Sequence, residues 1–158
     1  MGAGFRKAAF RLGEDCQSVT KTTVALKTAR PKVPADSVHL VRTRGTPKRG
    51  GGQGGECWRI EVDGKRVGTV FVNLIDEKPL GQHASLQIYL NLKNQGIGIG
   101  RVAYKLACEA SEYSTIYAHM RKSNVASRRA AEEAGFVDAT PASYQQLIMA
   151  WAKRCSSI

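Results

Sequence analysis

The sequence has no hydrophobic run that approaches the roughly 18 residues needed to cross a bilayer. Its best apolar stretch, residues 67–75, is short and includes Asn73. Residues 1–13 carry three basic side chains and lack the apolar core of a secretory signal. We therefore expect a cytoplasmic protein that does not enter a membrane. The acid-free, arginine-bearing start also resembles an organelle transit peptide, which is the less favoured interpretation.

Cysteine is sparse, and no two cysteines have the spacing of a metal-binding or redox pair. The four lie far apart, at Cys16, Cys57, Cys108 and Cys155. This spacing fits neither a zinc site nor a disulfide framework. Isolated cysteines in a domain large enough to bury a core are typical of reduced thiols in a cytosolic protein. We therefore predict no metal site.

Acidic residues are few relative to basic ones. The 158 residues contain 24 Lys and Arg against 13 Asp and Glu, which gives a formal net charge of +11. Residues 1–55 hold 11 basic and 3 acidic side chains, so they carry +8 of that charge. This excess favours an anionic partner such as a nucleic acid or a nucleic-acid-bound protein. A solvated basic arm without a partner is the simpler alternative.

Length and glycine content suggest how the chain is organised. A mass of 17.2 kDa suits one domain. Residues 1–36 give mixed signals and are interpreted as a basic N-terminal arm or helical segment, with a short helix at 21–29. Residues 37–158 are interpreted as a single domain. Within it, residues 43–55 contain too much glycine for a helix or strand, so we expect a mobile loop there.

Alternating apolar and polar residues predict strands in the first half of this domain. The clearest alternation is at residues 58–62, and Asp63-Gly64 then supplies a strong hairpin signal. The predicted strands are 37–42, 58–62, 67–74 and 84–92.

Helical spacing replaces the alternation after residue 97. Apolar residues recur at three- and four-residue intervals over 98–113, and a short strand is predicted at 115–120. Ser123 or Asn124 caps a second helix, which Gly135 ends. Residues 144–151 fit a helix and a strand equally well, and periodicity alone does not decide between them.

Closely spaced glycines connect the strand at 84–92 to the first helix. The segment consists of Gln95, Gly96, Ile97, Gly98, Ile99, Gly100 and Arg101. A helix that begins directly after such a turn exposes free N–H groups at the positive end of its dipole. Because glycine lets an anion approach those groups closely, the turn predicts a site for a phosphate or pyrophosphate.

Two well-known phosphate-binding motifs fit this turn poorly. Gly98, Gly100 and Ala103 satisfy the dinucleotide fingerprint in form, but residues 117–121 lack the acidic residue that should hold a ribose hydroxyl. Antiparallel strands, moreover, precede the turn where a parallel unit is required. A P-loop is excluded because no Gly-Lys-Ser/Thr follows the glycines.

Residues 84–136 resemble the GCN5-related N-acetyltransferases, the GNAT family. The family motif Q/R-x-x-G-x-G/A is matched by Gln95, Gly98 and Gly100. The family's N-x-x-A…G-F ending is matched from Asn124, with Ser127 in place of the usual Ala, to Gly135-Phe136, and Ile116-x-Ala118-x-Met120 stands where the intervening strand lies. The resemblance implies an α/β (α+β) fold: a mixed, mostly antiparallel sheet with splayed central strands, flanked by helices. It also implies a strand at 144–151.

The same resemblance implies an acyl-coenzyme A ligand, acetyl-CoA or another acyl-CoA. Backbone amides of the glycine turn would hold the pyrophosphate. Main-chain groups of Leu90, Asn91 and Leu92 would pair with the pantetheine arm, and an N–H near Leu92 would polarise the thioester carbonyl. Asn124 would contact the pantetheine or orient the second helix.

The usual catalytic side chains of the family are missing. Many relatives place a Tyr seven residues after the Asn to protonate the leaving sulfur, and here that residue is Ala131. Ser127 is the nearest hydroxyl, and Tyr144 is an alternative. The strand at 84–92 has no carboxylate base, which leaves His83 and then His119 as candidates. Glu56 and Glu61 are further options.

The acceptor side also departs from the family. Relatives commonly place two helices between their first and second strands, whereas only the loop at 43–55 lies there in this chain. We therefore expect residues 1–36 or a second subunit of a homodimer to help build the acceptor site. The leading hypothesis is an acyl-CoA-dependent N-acyltransferase acting on an amine of a nucleic acid or a nucleic-acid-associated molecule. The alternative is a basic nucleic-acid-binding protein that keeps the fold without turnover.

Overall fold

The computed structural model describes residues 29–155. Cys16 lies outside these residues, as does the helix predicted at 21–29 except for its last residue. Within this range the chain forms seven strands, two α-helices and two short 3-10 turns. The strands are β1 Val38–Thr43, β2 Glu56–Val62, β3 Lys65–Glu77, β4 Gly81–Leu90, β5 Thr115–Arg121, β6 Val137–Asp138 and β7 Gln146–Ala152. The helices are α1 Ile99–Ala110 and α2 Val125–Glu133, and the 3-10 turns are Ala35–Ser37 and Leu92–Asn94.

The seven strands form one sheet in the order β1-β2-β3-β4-β5-β7-β6. Every neighbouring pair is antiparallel except β4 and β5, which run parallel. The parallel pair is joined at a single register position, Ser85 opposite Tyr117, whereas β3 and β4 pair over ten positions. The central strands therefore separate on the C-terminal side of Ser85, which confirms the predicted fold class.

The β2–β3 hairpin forms where the sequence predicts it. Asp63 and Gly64 connect Val62 to Lys65, and both turn residues have positive φ, 50° and 74°. These angles are typical of the type I′ turn, whose twist matches that of the flanking strands.

The two helices cover one face of the sheet, called the helix face below. The apolar side of α1 packs there against the even-numbered residues of β4 and β5, and the core includes Leu86, Ile116 and Ala118. Burial raises the pKa of the Tyr104 phenol of α1 to about 12 and raises the pKa of the Cys108 thiol. The opposite side, called the second face below, carries the odd-numbered residues of these strands.

Asn124 and Gly135 set the two ends of α2. The Asn124 side chain accepts a hydrogen bond from the Ser127 amide at 3.2 Å, so Asn124 rather than Ser123 is the N-cap. At the other end Gly135 has φ 98°, and the Phe136 amide donates to the Ala131 carbonyl at 3.0 Å. This is the predicted Schellman arrangement, in which only a residue without Cβ strain fits at Gly135.

Several boundaries differ from the sequence predictions. The strand predicted at 84–92 ends at Leu90, because a 3-10 turn follows, and the helix predicted at 98–113 ends at Ala110. The ambiguous segment 144–151 contributes residues 146–151 to a strand, β7, as the family resemblance implies, and Ser143 lies before it with a positive φ of 68°. The division at residues 36 and 37 stays a prediction.

The glycine-rich segment, expected to be a mobile loop, follows a defined path between β1 and β2. Thr46 forms bridges with Arg49 and Gly50. Asn73 of β3 donates to the Lys48 carbonyl at 2.9 Å and accepts from the Gly50 amide at 2.8 Å. The glycines supply the turns, and hydrogen bonds to the sheet hold them.

Candidate active site

The glycine turn lies at the N-terminus of α1, and its conformation requires glycine. Gly96 and Gly98 have φ of 74° and 85°, and Gly98 is the N-cap residue in the left-handed region. No side chain caps the helix. Among the described residues, the amides of Ile99, Gly100 and Arg101 have no hydrogen-bond acceptor. These free N–H groups, together with the helix dipole, form a cradle for an anion.

Gly100 lets α1 approach its neighbours closely. A Cβ at this position would lie 3.7 Å from the Ala130 Cβ and 3.9 Å from the Leu90 Cδ1. These are ordinary contact distances, so an alanine fits here and a larger side chain does not. This packing explains the G/A choice at the last position of the motif.

Contacts from both sides fix the turn. The Gln95 side chain donates to the Leu90 carbonyl at 3.1 Å and so ties the turn to the end of β4. The Arg30 guanidinium donates to the Lys93 and Gln95 carbonyls at 2.7 and 2.5 Å, and the Val33 amide donates to the Ile97 carbonyl at 2.8 Å. The turn remains accessible, because Gly96 is exposed and Gly98 is partly exposed.

Basic side chains surround the cradle. Arg101 lies beside Gly98 and forms a 3.6 Å ion pair with Glu133, and its buried Nε has no hydrogen-bond partner among the described residues. Arg30 and Lys93 lie on the exposed side of the turn. The cradle therefore combines free amides with cations, which suits a doubly charged group such as a pyrophosphate.

The gap between β4 and β5 begins next to the cradle. The Asn91 amide bonds to the Val67 carbonyl of β3 at 2.9 Å, so the alternation of an antiparallel ladder directs the odd-numbered residues of β4 toward β3. The backbone groups of Ile88 and Leu90 consequently point toward β5, where the strands no longer pair. The Leu90 carbonyl receives the Gln95 side chain, and the other groups are available to a ligand.

Leu92 and Asn91 do not lie in the strand, contrary to the prediction. Leu92 belongs to the 3-10 turn after β4, is 85% exposed, and its carbonyl accepts from the Gln95 amide at 3.2 Å. Asn91 is the residue before that turn, and its backbone N–H and carbonyl are both bonded. The apolar alternation in the sequence continues past the physical end of β4, so it placed these residues wrongly. Ile88 takes the position next to Leu90 in the gap.

His83 and His119 meet on the second face at the narrow end of this gap. His83 is 6% exposed, its Nδ1 lies 2.7 Å from the Gly81 carbonyl, and its Nε2 lies 2.8 Å from the His119 Nε2. The ring of Tyr117 packs edge-on against His83 at 5.4 Å. Burial, and then the neighbouring His83, lower the pKa of the His119 imidazole, against a smaller opposing effect of Glu77.

The hydrogen bonds define how protons are distributed in this pair. A carbonyl only accepts, so His83 Nδ1 carries the hydrogen that it shares with Gly81, and the Nε2 of a neutral His83 accepts. His119 Nε2 must then donate, which leaves His119 Nδ1 as a nitrogen with a free lone pair. The lowered pKa of His119 favours this neutral form.

Ser85 lies beside this histidine pair and was not singled out by sequence. It is 1% exposed, sits at the last paired position of β4, and its Oγ has no hydrogen-bond partner among residues 29–155. A buried hydroxyl without a partner is uncommon, because its desolvation is not offset. The signal in the sequence was weak: a serine among apolar residues of a strand.

Ser127 and His83, the two predicted catalytic residues, lie on opposite faces of the sheet. Ser127 is half-buried in the first turn of α2, where its amide bonds to Asn124. Ala131, in the position of the family tyrosine, is 0% exposed in the core. The structure therefore places the two residues on either side of the sheet and does not bring them into contact.

The other predicted acid–base residues have structural contacts instead. Glu56 is buried, accepts hydrogen bonds from Ser111 Oγ and the Glu112 amide, and faces Arg42 at 3.6 Å. Glu61 pairs with Arg59 at 2.6 Å, and the Tyr144 hydroxyl donates to the Lys78 carbonyl at 3.0 Å. Within the described residues, no group of three His, Cys, Asp or Glu side chains could hold a metal ion, and no helix is long and apolar enough to cross a membrane.

Comparison with known families agrees with this geometry. Residues 8–137 match the family model of the acetyltransferase (GNAT) domain, which covers most of the chain. The chain therefore belongs to the GNAT acetyltransferase family, and the predicted family membership is confirmed. No curated protein sequence matches it.

Solved structures show the same fold at low sequence identity. Mycobacterium smegmatis RimJ in complex with CoA-disulfide is 21% identical, with a TM-score of 0.51 over 62% of this chain and 53% of that chain. A spermidine N-acetyltransferase SpeG mutant from Vibrio cholerae is 22% identical, with a TM-score of 0.51 over 63% and 64%. AAC(6')-Ib in complex with paromomycin and acetyl-CoA is 15% identical, with a TM-score of 0.58 over 75% and 94%. The chain thus spans less than two thirds of the length of RimJ and SpeG.

Proposed function

We propose that this protein is an acyl-CoA-dependent N-acyltransferase that transfers an acetyl group to an amine. The observation that carries the proposal is the continuity of two features. Free amides at the start of α1 adjoin a gap in which the backbone of Ile88 and Leu90 lacks a strand partner. A ligand that bears a pyrophosphate at one end and an extended amide chain at the other fits both.

The residues present fit acyl-CoA along its length. The amides of Gly96 to Arg101 would hold the pyrophosphate, with Arg101 and Arg30 supplying positive charge. Ile88 and Leu90 would bond to the pantetheine arm as a strand does, and one of their amides, rather than that of Leu92, would polarise the carbonyl. The bound coenzyme supplies an acyl group activated as a thioester. Asn124 holds α2 in place, and a pantetheine contact by its free amide nitrogen is part of the proposal.

His119 is the residue we propose as general base. An attacking ammonium must lose a proton, and the bond between the two Nε2 atoms leaves His119 Nδ1 with a lone pair that can accept it. His83, the base named from sequence, has both ring nitrogens engaged and is assigned the role of positioning His119. Ser127, in the first turn of α2, is proposed to donate a proton to the leaving thiolate, whose own pKa of about 8.5 makes this a modest demand.

The nature of the acceptor is the finer part of the proposal. The basic charge of the N-terminal third supports an amine on a nucleic acid or a nucleic-acid-associated molecule in the cytoplasm. The glycine-rich segment stands where relatives have two helices, which leaves room for a second copy of the chain to complete the site in a homodimer.

A transfer assay tests the activity. The purified chain is incubated with acetyl-CoA and, in separate reactions, a polyamine, a peptide with a free N-terminus and a single-stranded RNA. The free thiol of the product is measured, and the acceptor is analysed by mass spectrometry for one added acetyl group. We expect acceptor-dependent thiol release that His119→Gln lowers by at least about 100-fold. Binding of acetyl-CoA and of RNA without transfer to any acceptor would instead favour the alternative, a nucleic-acid-binding protein without turnover.

A further inference from the structure

A cavity of about 370 Å3 opens beside the end of β4, and its lining includes no residue of the glycine turn and neither histidine. It is lined by Arg49, Arg66, Gly68, Thr69, Tyr89, Leu90 and Asn91. Its volume lies in the range of small-molecule sites. The lining contains two arginines and no acidic residue.

The two arginines are held in place without a carboxylate. Arg66 donates to the Thr69 hydroxyl at 3.0 Å, and the Arg49 guanidinium lies 4.9 Å from the centre of the Tyr89 ring. Within residues 29–155, neither arginine takes part in an ion pair. Two guanidinium groups beside one cavity repel each other, so an anion bound between them would be stabilised by both.

Tyr89 supplies a flat surface at the same place. Its side chain is 51% exposed, although Phe71 stacks on its ring with centroids 5.9 Å apart and planes at 17°. The Arg49 guanidinium lies over this half-exposed, pre-oriented ring, so a nucleobase would stack on Tyr89 once Arg49 turns from the ring to a phosphate.

The floor of the cavity depends on Gly68. A Cβ there would lie 2.2 Å from the Tyr89 carbonyl oxygen and 2.9 Å from the Leu90 Cδ2. Any larger residue would push β3 away from β4 at the point where Tyr89 is held.

The glycine-rich loop brings Arg49 to this cavity. Asn73 bonds to the carbonyl of Lys48 and to the amide of Gly50, which are the two residues on either side of Arg49. The Arg49 amide itself donates to the Thr46 carbonyl at 2.8 Å. Three hydrogen bonds therefore hold the backbone around Arg49, and the loop places the Arg49 side chain on the second face.

We propose that this cavity binds the phosphate of a nucleotide unit, with the base stacked on Tyr89. Arg49 and Arg66 bind the phosphate, and the cavity adjoins Leu90, whose backbone borders the gap. The inference that this cavity anchors the acceptor rests on the proposed function. The inference that it binds a nucleotide does not depend on that function. The inference gives the loop at 43–55 a role that its glycine content alone does not indicate.

Calorimetric titration of the full chain at fixed ionic strength tests this site. The probes are AMP, adenosine, which lacks the phosphate, and ribose 5-phosphate, which lacks the base. They are titrated into protein saturated with acetyl-CoA, so that the cradle is filled, and into free protein if acetyl-CoA does not bind. We expect AMP to bind at least about tenfold more tightly than adenosine and roughly fivefold more tightly than ribose 5-phosphate.

Matched variants locate the binding. Arg49→Gln and Arg66→Gln should each lower the affinity for AMP by at least about tenfold. Arg44→Gln removes the same charge from the same loop outside the cavity, and should change AMP affinity less than about twofold. The affinity for acetyl-CoA should stay the same in all three variants.

Each other result overturns a defined part of the proposal. No binding of AMP, or equal losses in Arg49→Gln and Arg44→Gln, overturns the site. Equal affinity for AMP and ribose 5-phosphate overturns the stacking on Tyr89. A parallel loss of acetyl-CoA affinity in Arg49→Gln and Arg66→Gln assigns the cavity to the coenzyme phosphates and overturns the acceptor role. Wild-type protein that binds AMP as expected but not acetyl-CoA contradicts the proposed function and leaves the nucleotide site standing.

Discussion

At the scale of single residues, the site depends on where protons sit. Burial, and then His83, lower the pKa of His119 and favour its neutral form, in which the bond to His83 places the hydrogen on Nε2. The free lone pair is consequently on Nδ1. In the proposed mechanism the His119 imidazole takes the place of the carboxylate base that the family commonly uses.

NMR titration of the ring nitrogens tests this assignment. We expect the pKa of His119 to lie below its ordinary value of 6.5, because desolvation and the adjacent His83 favour the neutral form. The tautomers should be Nδ1–H for His83 and Nε2–H for His119. His83→Phe removes one cause, so the pKa of His119 should move toward 6.5. A His119 pKa at or above 6.5 in the wild type would contradict the proton arrangement.

Activity should follow the same titration. A base acts only when it is unprotonated, so kcat/KM falls as the pH drops below the pKa of His119. Since that pKa is lowered, the loss begins at a more acidic pH than an ordinary histidine would give. The pH profile of kcat/KM for whichever acceptor is transferred measures this, with Ser127→Ala as a variant whose acidic limb should not move.

Two buried serines should respond in opposite ways to the loss of a hydroxyl. Ser85 Oγ has no partner among the described residues, so Ser85→Ala should leave the free energy of unfolding unchanged or raise it by about 1 kcal/mol. Ser111 donates to the buried Glu56, and Ser111→Ala should lower that free energy by about 1–3 kcal/mol. Urea denaturation of both variants measures the difference. Equal destabilisation would mean that Ser85 has a partner in solution.

At the scale of elements, local signals predicted more than long-range ones could. A few adjacent residues determine each of three features that form as predicted: the Asp63-Gly64 hairpin, the turn at Gly98 and the helix end at Gly135. The predicted end of β4 was wrong, because the apolar alternation in the sequence continues to Leu92 whereas the backbone turns at Asn91. The contacts of Arg30 with residues 93 and 95 span more than 60 positions, and no local pattern could indicate them.

The N-cap of α2 offers a test at this scale. Asn124→Ala removes the acceptor of the Ser127 amide and should lower the free energy of unfolding by about 1 kcal/mol. Ser123→Ala, one residue earlier, should have almost no effect, because Ser123 does not cap the helix. Urea denaturation of the two variants measures this, and a larger loss in Ser123→Ala would contradict the assigned cap.

At the scale of the whole molecule, the two faces of the sheet carry different groups of residues. The helix face holds the core and α1 with its free N-terminal amides, while the second face holds the histidine pair and the arginine-lined cavity. The gap between β4 and β5 joins the two faces. The family resemblance supplied this architecture and the cradle, but the pairing of His83 with His119 and the path of the glycine-rich loop depend on the three-dimensional register of β3, β4 and β5.

The measurement closest to the central claim is calorimetric titration of acetyl-CoA into the wild type, Gly98→Ala and Gly64→Ala. Both glycines have positive φ, 85° and 74°, so both variants strain the backbone similarly, but Gly64 lies in the β2–β3 hairpin. We predict that the wild type binds, that Gly98→Ala binds at least about tenfold more weakly, and that Gly64→Ala binds like the wild type. A wild type that fails to bind, or a Gly98→Ala variant that binds equally well, would contradict the account.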